Sequence, residues 1–114
     1  DPRARVRDLA ARLSRTERTR EEHLALACER LADRRAAVRV SAIRSVSHAR
    51  YVDALPALVD ALFAAENAVR KEARLGLARY GEAAFEALDV AMRRARPDRA
   101  RQIAVERATL AGRR

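Results

Sequence analysis

The chain has no tryptophan, one cysteine, three glycines and three prolines among its 114 residues, and aromatic residues make up only 4% of it. Strands are disfavoured, because they are enriched in aromatic and β-branched residues between turn residues. The single cysteine, Cys28, cannot form an intramolecular disulfide, which fits a reducing compartment. No apolar run approaches the roughly 18 residues of a membrane span, and residues 1–13 lack the apolar stretch of a signal peptide. We therefore expect an all-α cytoplasmic protein without a membrane partner.

The hydrophobic residues that are present are small. They make up 49% of the chain, but 27 of the residues are alanine. A core of this composition requires helices that approach one another closely, since alanine favours helix and fills little volume. The length fits a single domain over residues 1–114, with one elongated core.

A repeat of about 31 residues runs through the chain. Valine is followed by arginine at residues 6–7, 38–39 and 69–70, with spacings of 32 and 31, and Ala100-Arg101 follows 31 residues later. We call the helices that contain these pairs the Val-Arg helices. A second series with the same period, Leu24, Leu55 and Phe85, lies between them. Two kinds of helix therefore alternate, and stacked pairs can bury apolar stripes that one pair alone cannot.

Local signals predict seven helices. Thr19 and Glu22 match a capping box, Asn67 and Asp98 are favourable N-caps, as is Asp1 before a proline, and Gly81 and Gly112 are typical residues just after a helix. The helices predicted from these signals span residues 2–14, 20–32, 36–49, 53–65, 68–80, 82–95 and 98–111.

Residues 33–62, DRRAAVRVSAIRSVSHARYVDALPALVDAL, resemble the HEAT repeat, especially its short form named after phycobilisome lyases. The likeness rests on the aspartate six residues before the arginine, the Val-Arg pair, and Leu-Pro-x-Leu after a short loop. It implies a right-handed α-solenoid of about seven antiparallel helices, with repeats at 1–32, 33–65 and 66–96 and a half repeat at 97–114. It also implies that the Val-Arg helices line the concave side and that Asp-Arg pairs form a ladder between repeats. The residues of that ladder would be Asp33, Arg39, Arg70 and Arg101.

Positive charge is concentrated in the Val-Arg helices. The chain carries a net charge of +9, and 24 of its 25 basic residues are arginine. Residues 1–15, 36–50 and 67–81 each carry +3, whereas residues 16–35, 51–66 and 82–96 carry 0, −3 and 0. Arginine and alanine have GC-rich codons, so part of this bias is also typical of genome composition, as in many bacteria.

If the implied geometry holds, the concave face is basic and attracts an anionic partner. The alternative is that these arginines serve solubility and repeat stacking. The candidate binding residues on this face are Arg44, Ser45, His48, Lys71, Arg74, Arg79 and Arg107.

The sequence contains no recognisable catalytic motif. His23 and Cys28 lie five residues apart on one helix, off the spacing that directs two ligands at one metal. His48 ends a helix, where an imidazole suits the helix dipole. Some HEAT-type enzymes bind iron through His-Glu pairs or use tryptophan in the groove, and this chain has neither. We expect no enzymatic activity, no cofactor and no metal.

The sequence thus favours a non-enzymatic scaffold module that binds another protein, for example one with an acidic segment, on its basic concave face. One alternative is binding of a nucleic-acid phosphate backbone by the same groove. Another is a regulatory or structural segment of a larger protein or a longer solenoid. Self-association through the terminal helix, residues 98–111, is a further expectation, because no later helix covers it.

Overall fold

The computed structural model describes residues 2–113, apart from the side chains of residues 16 and 17. Over these residues the fold is all-α, as predicted, with six α-helices and no strand. A short 3-10 turn, Val52–Ala54, precedes the third helix. The helices are α1 (Pro2–Arg30), α2 (Ala36–His48), α3 (Leu55–Ala61), α4 (Asn67–Tyr80), α5 (Glu82–Arg94) and α6 (Pro97–Gly112).

The first two predicted helices are one continuous helix, so the prediction of a turn at residues 15–19 was wrong. α1 runs unbroken for 29 residues. The Thr19 hydroxyl donates to the Arg15 carbonyl oxygen at 2.9 Å inside this helix and does not cap a new one. Residues 15–19 contain no glycine or proline, and arginine and glutamate are good helix formers. Nothing in the backbone therefore forces a break.

The other helices match their predicted limits within a few residues, but most predicted caps were wrong. Glu66 and Arg96, not Asn67 and Asp98, precede α4 and α6, and neither makes a side-chain cap. Gly81 has φ of 63° and ends α4, as predicted. Gly112 is instead the last residue of α6, and neither it nor Arg113, which follows, adopts a left-handed conformation. The predicted cap at Asp1 lies outside the described residues.

Alternate helices pack against each other in two rows. α2 packs on α4 and α3 packs on α5, while α6 packs on α5 and the second half of α1 packs on α2. α2 and α4 approach closely at Gly76 of α4, where an added Cβ would lie 3.0 Å from Ile43 Cγ2 of α2. This glycine allows the two Val-Arg helices to come together.

Burial follows the period of the sequence. The second series is buried at all three positions, Leu24, Leu55 and Phe85. The core is formed by the middle of the chain, and it ends with Ile103 of α6, which is 2% exposed. α5 covers α6 on that side, whereas Val105 of α6 remains 65% exposed.

The loop between α2 and α3 is held by a buried tyrosine. The hydroxyl of Tyr80 donates to the carbonyl oxygen of Tyr51 at 2.7 Å, and the carbonyl of Val46 is 3.2 Å away. Burial raises the pKa of Tyr80 to about 12. This contact joins α4 to the preceding helical pair.

The first half of α1 extends away from the packed helices. The molecule measures 65 × 29 × 24 Å, and its radius of gyration is 17.5 Å. A compact domain of this length would have a radius of about 13 Å. Despite the length of α1, no helix in the described part of the chain is both long and apolar enough to span a bilayer.

Candidate functional site

The predicted binding residues all lie on α2, α4 and α6. Arg44, His48 and Lys71 are exposed. Ser45, Arg74, Arg79 and Arg107 are partly exposed. The structure therefore distributes the predicted set over three Val-Arg helices, but the contacts of each arginine decide whether it is available to a ligand.

Arg44 of α2 binds a carboxylate of the neighbouring helix. Its Nε lies 3.0 Å from Oε1 of Glu72 on α4, and its Nη2 lies 3.5 Å from Oε2. Glu72 is 7% exposed, whereas the side chain of Arg44 is 60% exposed. The pair thus places a buried negative charge directly beneath the exposed guanidinium, which reduces its attraction for an anion.

The next two arginines are paired in the same manner. Nε and Nη2 of Arg74 donate to Glu106 of α6 at 3.1 and 3.0 Å, a two-point contact between α4 and α6. Hydrogen bonding to Glu106 raises the pKa of Arg74. Arg107 donates to both carboxylate oxygens of Asp89 on α5, at 2.8 and 3.4 Å. Paired guanidinium groups of this kind fix helices in register.

Of the remaining candidates, Arg79 is paired, whereas Ser45, His48 and Lys71 make no side-chain hydrogen bond or salt bridge within the described residues. Nη1 of Arg79 donates to Oγ of Ser47, a fully buried hydroxyl on α2, at 2.7 Å. Three of the five basic candidates, Arg44, Arg74 and Arg107, are therefore already paired with carboxylates of the protein itself.

The residues expected to form an Asp-Arg ladder make different contacts. Asp33 accepts from the backbone and side chain of Arg35, its neighbour in the loop, and this lowers the pKa of Asp33. Arg39 instead binds Glu66, in the loop before α4, and lowers the pKa of that carboxyl group.

The other two ladder arginines make local contacts. Arg70 donates to the carbonyl oxygens of Ala64 and Ala65, both at 2.7 Å. Arg101 pairs with Asp98 on its own helix. Of the four predicted ladder residues, only Arg39 therefore forms an ion pair with a neighbouring repeat in the described part of the chain.

A second surface, which the sequence did not reveal, lies on the opposite row of helices. α3 and α5 leave between them an open groove of about 790 Å³, closed at one end by the start of α6. We call it the α3–α5 groove. Its apolar lining includes Val52, Leu55, Pro56, Val59, Phe63, Ala83, Ala87, Val90, Ala91, Ala95 and Ile103. Two of these, Val52 and Val90, are 62% and 36% exposed.

Charges mark the edges of the α3–α5 groove. Asp60 and Glu86 line it, with Glu86 early in α5, while Arg94 lines it at the end of the same helix. Eight residues of helix separate Glu86 from Arg94 by about 12 Å. Arg99 lies over the ring of Phe63, with its guanidinium carbon 4.0 Å from the ring centre. The groove is thus apolar along its floor and oppositely charged at the two ends of α5.

A spacing in the sequence could have indicated this groove. Alanine occurs at residues 83, 87, 91 and 95, at intervals of four, so one face of α5 is a row of small residues. Opposite it, α3 presents Pro56 and Val59. Small residues that are not buried by a closely packed neighbour leave a concavity, and that depends on the packing of two helices distant in sequence.

The titratable residues outside these surfaces do not assemble a metal site. No group of three or more His, Cys, Asp or Glu side chains suited to a metal is present in the described residues. Cys28 is partly buried between α1 and the core, where burial, followed by the charge of Asp53, raises the pKa of its thiol. A thiol with a raised pKa is a poor nucleophile.

No protein-family model, no curated protein and no solved structure matches this chain. The HEAT-type likeness therefore rests on the residues quoted above. Two surfaces of the molecule bear on its function: the Val-Arg face, where Arg44, Arg74 and Arg107 are paired with carboxylates, and the open apolar groove.

Proposed function

We propose that this chain is a non-enzymatic protein-interaction module, built as a short right-handed HEAT-type solenoid, and that the α3–α5 groove is its docking surface. The observation that carries the proposal is the open groove of about 790 Å³ with an apolar floor. Exposed apolar concavities with polar edges are typical of binding surfaces. Helices held in register by Arg-carboxylate pairs supply a preformed surface, so that binding requires little ordering of the module.

The partner that fits is an amphipathic helix. Such a helix inserts apolar side chains at positions i, i+3 or i+4, and i+7 into a groove between two helices. Glu86 favours a basic residue near the start of α5, and Arg94 favours an acidic residue near its end. This partner differs from the acidic segment expected from the sequence, because the arginines that would bind an acidic segment are already paired.

Selection of helical peptides from a random library, with the purified protein as bait, tests the proposal. We expect the selected peptides to carry spaced apolar residues and to lose affinity for the variant Ala87→Arg, in which a long side chain fills the groove. Ala87 lines the groove and is partly exposed, so the variant is expected to fold. The matched control is Ala78→Arg, on the exposed face of α4.

Two results bear on the outcome. Peptides that bind wild type and Ala78→Arg equally but not Ala87→Arg support the groove. Peptides that bind Ala87→Arg as well as wild type contradict it, provided circular dichroism shows that the variant is folded.

A second candidate function is binding of a nucleic-acid phosphate backbone. It is favoured by the exposed Lys71 on α4 and the 60% exposed Arg44 on α2, in a chain with a net charge of +9. Backbone binding falls steeply with salt. If it operates, Lys71→Glu weakens retention on single- or double-stranded DNA at low salt and Ala87→Arg does not. Retention that is unchanged in Lys71→Glu removes this candidate.

A further inference from the structure

The first half of α1 carries an apolar stripe that is exposed to solvent. Val6, Leu9 and Leu13 are 67%, 57% and 57% exposed. Leu24 and Ala27, 18 residues after Val6 and Leu9, are 9% and 4% exposed. Eighteen residues are about five turns, so both pairs lie on the same side of the helix. The side that packs on α2 in the second half of α1 therefore continues, uncovered, along the first half.

A vacant groove of about 330 Å³ lies beside this contact, between α1 and α2. We call it the α1–α2 groove. Its lining includes Val38, Ser41, Ala42 and Ser45 of α2. The residues 31 positions later, Val69, Glu72, Ala73 and Gly76, are all buried in α4. The repeat therefore predicts full burial of this side of α2, whereas only Ala42 is buried, Val38 and Ser45 are partly exposed and Ser41 is exposed.

The projecting half of α1 has the length and side chains for that position but cannot reach it in its own copy. α1 is one helix of 29 residues, and its residues 2–14 lie outside the packed helices, where all but Ala4 are exposed. In a second copy related by a two-fold axis near residue 17, α1 would run antiparallel to the first α1. Residues 2–14 of each copy would then lie beside the second half of α1 and beside α2 of the other.

Charge favours this antiparallel arrangement. The first half of α1 carries five arginines against one aspartate within residues 2–15. The second half, residues 16–30, carries four glutamates against three arginines and is therefore close to neutral. Two basic residues, Arg30 and Arg35, also line the α1–α2 groove, but Arg35 is already paired with Asp33. A parallel arrangement would instead place the two arginine-rich halves together.

We propose that two copies of this chain form a symmetric dimer in which the first half of each α1 occupies the α1–α2 groove of the other. The contact is reciprocal and occurs twice, as in domain-swapped dimers. It uses Val6, Leu9 and Leu13 as the inserted side chains and leaves the α3–α5 groove open. The dimer differs from self-association through α6, because α6 takes no part in it.

Sedimentation equilibrium of the full chain tests the dimer, with two single variants as probes. Leu9→Arg alters the inserted stripe and Ser41→Arg obstructs the groove; both positions are exposed, so both variants are expected to fold. We expect wild type to be a dimer and each variant alone to dissociate at least about tenfold more readily. Leu75→Arg, on the exposed face of α4, is the matched control and should dimerise as wild type does.

Mixing the two variants separates this arrangement from other dimers. A heterodimer of Leu9→Arg with Ser41→Arg retains one contact in which both the stripe and the groove are wild type. We therefore expect the mixture to form more dimer than either variant alone. A monomeric wild type, a dimer insensitive to Ser41→Arg, or a mixture that dimerises no better than its components would each overturn the proposal.

Discussion

The first half of α1 and the packed body, α2 to α6, have similar amino-acid compositions but are stabilised differently. Both are rich in arginine, alanine and leucine. In the body, arginines pair with carboxylates of neighbouring helices, and leucines such as Leu58 and Leu88 are at most 1% exposed. In the first half of α1 the leucines are more than half exposed. A short helix is marginal in water by itself, so position beside a neighbour, more than composition, decides how stable each segment is.

The largest expected difference between the two regions comes from removing a leucine. Leu58→Ala, at a fully buried position of α3, should lower the free energy of unfolding by about 2–5 kcal/mol. Leu13→Ala, at a 57% exposed position of α1, should change it by less than about 0.5 kcal/mol in a dilute, monomeric sample. Urea unfolding of both variants measures the two values. Equal losses would show that α1 is covered in the monomer.

Adding a side chain where helices touch should have the next largest effect. Gly76→Val places atoms against Ile43 and Ser47, which lie 3.0 and 3.3 Å from the added Cβ, and should cost about 1–3 kcal/mol. Gly112→Val has no atom within 4 Å of its Cβ and should stay within about 0.5 kcal/mol of wild type. Thermal or urea unfolding distinguishes them. A neutral Gly76→Val would mean that α2 and α4 do not approach as closely as described.

The coupling free energy of an ion pair should likewise depend on whether the pair joins two helices, although the values are smaller. Arg74–Glu106 joins two helices, and its side chains are 35% and 15% exposed. A double-mutant cycle should give a coupling of about 1 kcal/mol, near the upper end for such pairs. Arg101–Asp98, with side chains 73% and 90% exposed, should give about 0.3 kcal/mol or less. A reversed order would contradict the role of Arg74 in holding α4 to α6.

A further test of packing in the body concerns alkaline pH. Burial raises the pKa of Tyr80 to about 12, and an unfolded tyrosine titrates near pH 10. The folded protein therefore favours the neutral phenol, and this contribution is complete below about pH 10 and is lost as pH rises towards about 12. Burial also raises the pKa of Tyr51, the other tyrosine, so tyrosinate absorbance should show late ionisation and Tyr80→Phe should remove its latest component. A titration of Tyr80 near pH 10 would show that the hydroxyl is not buried.

The regular features of the sequence predicted the body well. The 31-residue period places α2, α4 and α5 within a few residues of their observed limits, and Gly81 ends α4 as its freedom at positive φ suggests. The period also predicts burial, since Leu24, Leu55 and Phe85 are all buried. These features depend on local propensity and on one apolar stripe per helix, which a sequence displays directly.

Features that depend on two distant helices were not predicted. The Thr19–Glu22 cap failed because a continuous helix satisfies the same backbone groups without a turn. The partners of Arg44 and Arg74, Glu72 and Glu106, depend on the register between helices about 30 residues apart. The α3–α5 groove also depends on packing. Its row of alanines predicts a concave surface only once the position of α3 opposite α5 is known.

Hydrogen exchange of residues 4–14 at two protein concentrations tests most directly whether a neighbour stabilises each helix of this chain. We expect fast exchange of these amides in dilute monomer and strong protection at concentrations where the dimer forms, while protection of residues 84–88 in α5, which takes no part in the dimer contact, stays unchanged. Strong protection of residues 4–14 at both concentrations would contradict this expectation, because the first half of α1 would then be stable without a second copy.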